Sequence, residues 1–392
     1  MNIQKFQIKT VSLDTHPTPK SEKYPIVIIP GDGGCQAYSK LKNSTSPPFL
    51  VWIDLRSQLF DLLGLSLVYD PVTRKSRDPD SADVYFPGWG ETWSIENLDS
   101  YRHSRTEYCG PMIESLRRDP FFVSNWTIRG APFDFRKFNA YKLGFNDKLM
   151  HLIEETYQNG GNRSVVLLGH SLGAKYGMYF LKSMKKSWKN KYVKTFVSLS
   201  APLGGSVKAL KIEASGTLIY KMNFRQYLTY NFGVFLRSPL SFRPVQRTLP
   251  SLAFLLPDSR LWSPKEPLII TPTTNYSAHD YERFFHDVNY SIGEQMNIMM
   301  LDSKSIIDTF EKPSDIDEIY CIHGSNLSTT DKMVYSPGFP DQVPALIPGN
   351  GDGTVSLRSL EVCKRWPGIK YFILPGFSMV FQLFYLFIYL NT

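Results

Sequence analysis

The chain has 392 residues, 42 % of them hydrophobic and 20 % charged, enough for one large α/β domain with insertions or for two domains. Its net charge of +8 is scattered, with no basic stripe interleaved with aromatics, which speaks against a nucleic-acid-binding module. Aromatics at 14 % suit a lipid contact or a large core. Residues 1–23 read as a polar leader, without the roughly 7–15-residue apolar run of a signal peptide. Tyr24–Pro30, YPIVIIP, reads as a fully buried first strand ending in the N–H-rich loop Gly31-Asp32-Gly33-Gly34. Residues 35–110 alternate apolar runs, such as Phe49–Leu67, with Pro/Gly turns. Met112–Arg118 reads as helix and Trp126–Arg129 as strand. Tyr141–Tyr157 reads as an amphipathic helix with Leu149, Leu152, Ile153 and Thr156 on one face. Val165–Leu168 then reads as strand, Ala174–Met184 as helix and Val193–Leu199 as strand, an alternation that predicts a parallel sheet. Lys182, Lys185, Lys186, Lys189, Lys191 and Lys194 read as a solvated face, with anionic lipid as the rival use. Residues 216–262, long, aromatic and basic, read as an insertion over the sheet. Asp315–Ile322 reads as a strand, Asp341–Thr354 as a loop and Ile369–Leu374 as the last strand.

Between the strand at Val165 and the helix from Ala174 lies Gly169-His170-Ser171-Leu172-Gly173. Strand, G-x-S-x-G, helix is the context of a nucleophile elbow. The tight turn lifts the Ser171 hydroxyl clear of the sheet, and the two glycines let neighbouring backbones approach. The N–H of Leu172, at the helix start, can face a developing oxyanion, and the N–H of Asp32 is the natural second donor. In this arrangement an acid and then a histidine follow the serine in the chain. Asp352, in Gly351-Asp352-Gly353-Thr354, fits the acid, and a surface Asx turn is its bland alternative. No histidine follows it: the seven are His16, His103, His151, His170, His279, His286 and His323. His323 is a weak substitute base, and His279 and His286 read as one helical face. No Cys/His/Glu cluster supports zinc, so no cofactor or metal is expected. Four cysteines, Cys35, Cys109, Cys321 and Cys363, admit one or two disulfides. N-x-[ST] acceptors stand at Asn43, Asn125, Asn162, Asn275, Asn289 and Asn326, more than the roughly two expected by chance.

These residues carry a resemblance. PIVIIPGDGG, PGWGETWS, RGAPFDFR, VVLLGHSLG, TFVSLSAPLGGS, TPTTNYSAHDYERFF and NGDGTVSLRSLEVC, over about residues 24–376, are similar to the lecithin:cholesterol acyltransferase family, closest to its lysosomal phospholipase A2 (group XV) branch. The resemblance implies an α/β-hydrolase fold: a mostly parallel sheet flanked by helices, with cap and lid insertions. It implies a serine acyl hydrolase or O-acyltransferase that acts on glycerophospholipids through an acyl-enzyme, with water or a lipid alcohol as acceptor. It places the nucleophile at Ser171, the acid at Asp352, the oxyanion loop at Asp32 and a disulfide between Cys321 and Cys363. Asp32 is similar to the lysosomal branch, and Cys35 falls where the family usually has Asn.

On this basis residues 24–215 and 263–376 form the hydrolase core, with a short lid loop at about 40–50 and a cap insertion at 216–262. The family's catalytic histidine is expected near Met379, where the chain reads MVFQLFYLFIYLNT; residues 377–392 are therefore a divergent apolar tail, read as an alternative or faulty splice choice. The tail is short for a membrane span. The expected partner is a phospholipid membrane or lipoprotein surface, and the expected compartment is the secretory pathway, lysosomal or extracellular, although no signal peptide is visible. An inactive lipid-binding pseudoenzyme and a sterol O-acyltransferase are the alternative readings. An acidic optimum is expected, because an ionised Asp32 would repel the oxyanion.

Overall fold

A computed structural model describes residues 22–52, 65–73, 75–99, 106–137, 144–216, 238–296 and 308–378. The leader, most of the first half of the cap and the tail from Met379 lie outside them.

Among the described residues the first element is β1 (Ile26–Ile29), whose four aliphatic residues are all buried, as an interior strand of a sheet covered on both faces requires. A surface hairpin follows, β2 (Ala37–Leu41) and β3 (Phe49–Trp52), then the short ribbon of β4 (Val68–Asp70) and β5 (Lys75–Arg77), and then β6 (Ala82–Tyr85). Helices α1 (Trp93–Glu96) and α2 (Gly110–Leu116) lead to β7 (Ile128–Gly130) and to α3 (Phe145–Asn159). The core of the fold is then β8 (Val165–His170), α4 (Leu172–Ser183), α5 (Lys186–Tyr192), β9 (Val193–Leu199) and α6 (Val207–Ser215). The remaining strands are β10 (Ile269–Ile270), β11 (Asn275–Tyr276), β12 (Glu318–Ser325), β13 (Leu327–Val334), β14 (Ala345–Gly351) and β15 (Lys370–Pro375).

Six strands form the central sheet in the order β15-β12-β9-β8-β1-β7, and every neighbouring pair is parallel. Their carboxyl ends therefore share one edge, the edge at which open α/β sheets bind ligands. Gly31, Ser171, Ser200, Asn326 and Gly376 each follow a strand there. α3 packs on β1, β7 and β8, and α4 on β8, β1 and β9. The face of α3 that goes inward is Leu149, Leu152, Ile153 and Thr156, with Phe145. The fold is thus the mixed α/β architecture with a parallel sheet flanked by helices that the alternation predicted.

Besides the β4–β5 ribbon, two smaller sheets are present among the described residues. The hairpin joins β6 in the order β3-β2-β6, and a small apolar cluster of Ala37, Val51, Leu65 and Val84 receives Phe242 from the 238–262 region. Thr248 Oγ1 accepts the Leu67 N–H at 3.0 Å across the same junction. The order β11-β10-β13-β14 makes the other.

Three local expectations need correction. Asp341–Thr354 is not all loop: Ala345–Gly351 pairs antiparallel with β13. It is a solvated edge, where Pro348 and the glycines are tolerated and no alternation marks it. His279 and His286 do not share a helical face, since the helix spans Tyr281–Asp287 and His279 precedes it. Lys189 does not belong to a solvated face: it is buried, donating to the Ser314 carbonyl at 2.9 Å and pairing with Asp315 at 3.2 Å.

Candidate active site

Ser171 sits between β8 and α4 with φ 54° and ψ −123°, a conformation that a non-glycine residue adopts only when its surroundings impose it. Its N–H donates to the Leu199 carbonyl at 2.9 Å and its carbonyl accepts from Ala174 N–H at 3.1 Å. The glycines explain how the turn fits. A Cβ on Gly173 would lie 2.2 Å from the Pro30 carbonyl oxygen and 2.4 Å from that of Ile29. One on Gly169 would lie 2.4 Å from Ala174 Cα. α4 therefore starts against the end of β1, which brings the Gly31 loop to the serine: a Cβ on Gly31 would lie 2.8 Å from Ser171 Cβ. Leu172 is the first residue of α4, so its N–H is among those that a helix leaves without an internal acceptor.

Asp32 lies in a tight turn closed by Gly34 N–H to the Gly31 carbonyl, 3.0 Å, with Gly33 at φ +64°. Asp32 is exposed, while Gly31, Gly33 and Gly34 on either side of it are buried, and its carboxyl is partly desolvated. That desolvation raises its carboxyl to about 6, opposed by the charge of Lys208.

Asp352 follows β14 and is fully buried. Oδ1 accepts the N–H groups of Thr354 and Val355 at 3.0 and 2.8 Å. So the Asx-turn geometry is present, but inside the protein rather than on its surface. Oδ2 is buried and has no hydrogen-bond partner among the described residues. Desolvation raises this carboxyl also to about 6, with the backbone N–H groups and Lys208 pulling the other way. The loop is held by Ser206, the N-cap of α6, whose hydroxyl donates to the Thr354 carbonyl at 2.9 Å. Half-buried Lys208, in the first turn of α6, acts electrostatically on both Asp32 and Asp352.

His323 is turned elsewhere: Nδ1 meets the Gly324 carbonyl at 2.8 Å and Nε2 the Tyr371 hydroxyl at 2.7 Å. Burial lowers its pKa. His279 Nε2 bonds the Trp262 carbonyl, and His286 is exposed beside Asp287. His170 is buried in the elbow and bonded to the Tyr108 hydroxyl. The position at Met379 lies outside the described residues.

Cys321 and Cys363 form a disulfide that ties β12 to the segment after the acid loop. Cys35 and Cys109 are buried and free, and burial pushes both thiols far above their ordinary range. Among the described residues no group of three or more His, Cys, Asp or Glu could hold a metal, and no helix is long and apolar enough to cross a membrane. The six acceptor asparagines are all exposed. Five of them, Asn43, Asn125, Asn162, Asn289 and Asn326, have left-handed backbone, as at turn tips. Tyr108, Trp52 and Lys208 are the site neighbours that the sequence did not reveal; each lies in a stretch with no motif.

The chain matches the family model for lecithin:cholesterol acyltransferase over residues 50–308 and 303–373. It is 34 % identical over 363 residues to the lysosomal phospholipase A and acyltransferase of Homo sapiens, covering 89 % of this chain and 83 % of that one. The enzyme of the same name from Canis lupus familiaris is 34 % identical over 359 residues, covering 88 % and 83 %. The phosphatidylcholine-sterol acyltransferase of Rattus norvegicus is 30 % identical over 385 residues, covering 93 % and 82 %. Among solved structures, a chain of the Tle4-Tli4 complex superposes with a TM-score of 0.52 at 12 % identity, covering 92 % of this chain and 95 % of that one, a likeness of fold alone.

Proposed function

Because the chain belongs to the lecithin:cholesterol acyltransferase family, we propose that it is a phospholipase A/O-acyltransferase that uses Ser171 as nucleophile. The observation that carries this reading is the strained Ser171 elbow facing the Gly31 loop, with a buried carboxylate, Asp352, bridged to Leu327 just past the carboxyl end of β12 and keeping one oxygen unpartnered. Ser171 Oγ attacks the ester carbonyl of a glycerophospholipid while a base takes its proton. The N–H groups of Asp32 and Leu172 hold the oxyanion. The carbon–oxygen bond to glycerol then breaks, the base returns the proton to the leaving oxygen, and the acyl group stays on Ser171. Water or a lipid alcohol, activated by the same base, takes the acyl group and restores the serine. Oδ2 of Asp352 is the acceptor that would orient a histidine N–H and stabilise the imidazolium.

The reading extends to the surroundings. The six exposed acceptor asparagines fit N-glycosylation, and so a secretory, lysosomal or extracellular site of action at a phospholipid membrane or lipoprotein surface. The cap and lid are assigned to 216–262 and to the hairpin loop near 40–50. A second reading, a lipid-binding pseudoenzyme, is favoured by one observation: no described histidine reaches Asp352, whose Oδ2 stays unpartnered.

Phosphatidylcholine vesicles separate the two. The enzyme reading expects lysophospholipid release by the full chain, abolished in S171A and reduced by about 10³-fold or more in D352N. Vesicle binding without release, unchanged in S171A, would establish the pseudoenzyme instead.

A further inference from the structure

The loop Gly31–Gly34 is held by two side chains that belong to no motif. On one side stands Tyr108, buried, whose hydroxyl oxygen accepts the Gly31 N–H at 2.8 Å and also meets His170 Nδ1. A phenol has one proton. Its oxygen also has two lone pairs, so Tyr108 bridges the Gly31 N–H and His170 Nδ1. Burial raises the Tyr108 phenol well above its ordinary pKa, which keeps it protonated. His170 is covalently next to Ser171, so elbow and loop are joined through Tyr108. On the other side, Trp52 of β3 donates Nε1–H to the Gly33 carbonyl at 2.7 Å. The contact is close: a Cβ on Gly33 would lie 2.5 Å from Trp52 Cζ2, and one on Gly34 would lie 2.8 Å from the Tyr108 ring. Asp32 is the residue between the two anchored glycines.

We propose that Tyr108 and Trp52 are positioning residues that clamp this loop and set the Asp32 N–H against Ser171, with His170 fixing the Tyr108 hydroxyl. The clamp rests on the reading of the Asp32 N–H as an oxyanion donor. A displaced donor acts only in the transition state, so its loss lowers the rate of the covalent step and spares binding. A merely structural tyrosine would lower thermal stability and leave the rate per folded molecule unchanged.

The test uses the full chain and two variants that keep an aromatic side chain and lose the polar group, Y108F and W52F. Reaction of Ser171 with an alkyl fluorophosphonate gives the maximal inactivation rate and the half-saturating concentration separately. Hydrogen exchange of the peptide containing Gly31–Gly34 reports the loop itself. The clamp predicts that Y108F reacts about 10- to 100-fold more slowly, with half-saturation within about twofold of wild type. It also predicts loop exchange faster by about tenfold or more. W52F shifts both in the same direction and carries the test alone if Y108F does not fold. An unchanged maximal rate, or unchanged loop exchange, in the folded variants overturns the clamp while leaving the nucleophile reading intact. Absence of labelling at Ser171 in the wild-type chain overturns that reading, and the positioning role with it.

Discussion

In the proposed mechanism, two carboxylates with the same ordinary pKa have different tasks because their surroundings differ. Asp352 is buried, with two backbone N–H groups on one oxygen and nothing on the other, the arrangement of an acid that waits for a cationic partner. On the same proposal Asp32 contributes its backbone N–H, and its carboxyl is a liability there when charged. With its pKa raised to about 6, it is neutral below that pH and anionic above it. Asp352, also raised to about 6, gains its charge over the same range in both proteins, so the effect of Asp32 is read as the ratio of D32N to wild-type rate, which should rise by about threefold or more between pH 5 and pH 7.5. A pH–rate profile for phospholipid hydrolysis that is the same in D32N and wild type would contradict this. At this scale the sequence could nominate Ser171, Leu172, Asp32 and Asp352 as candidates because each lies in a glycine-marked turn. It could not nominate Tyr108 and Trp52, because a side chain that acts by reaching across 77 or 19 residues leaves no local pattern.

Among the elements, the junction of β8, α4 and β1 is the most constrained. The first turn of α4 touches the carboxyl end of β1 through Gly173, where backbone oxygens leave no room for a side chain. G173A should lower stability by about 2 kcal/mol or more, since backbone has to move, and should abolish labelling of Ser171 as the elbow and the Gly31 loop separate. Thermal unfolding and fluorophosphonate labelling check it; wild-type Tm and labelling would show that the junction has slack. Buried strands were the most legible elements: the apolar run Val193–Leu199 is β9 to the residue, and the run around β1 is trimmed only at its ends. The edge strand β14 was missed because an exposed strand carrying Pro and Gly has the composition of a loop, and its pairing is set by β13 rather than by its own residues.

For the molecule as a whole, buried acids tie stability to pH. Glu213, buried on α6 with Oε2 unpartnered, has its carboxyl raised from 4.5 to about 8 by desolvation, with Arg247 opposing. A raised folded-state pKa means that the folded protein holds the proton more tightly than the unfolded chain does. The stabilisation is complete below about 4.5 and is lost as pH rises through 8; Asp352 acts in the same sense through about 6. E213Q should melt roughly 5 °C above wild type at pH 8, with the difference vanishing near pH 4.5. An equal difference at both pH values would assign it to packing instead. The sheet's parallel order followed from the alternation of strands and helices. The Cys321–Cys363 disulfide followed from the family resemblance and is present, whereas spacing alone could not pair the four cysteines, because four admit several pairings.

The central claim is that Ser171 takes an acyl group from a phospholipid. Incubating the full chain with phosphatidylcholine vesicles at pH 5, quenching with acid and mapping peptides by mass spectrometry tests it most directly. An acyl adduct on Ser171 together with lysophosphatidylcholine in the supernatant, both absent in S171A, is the result predicted. Lysophosphatidylcholine release that persists in S171A, or neither adduct nor release from the intact chain, would contradict it.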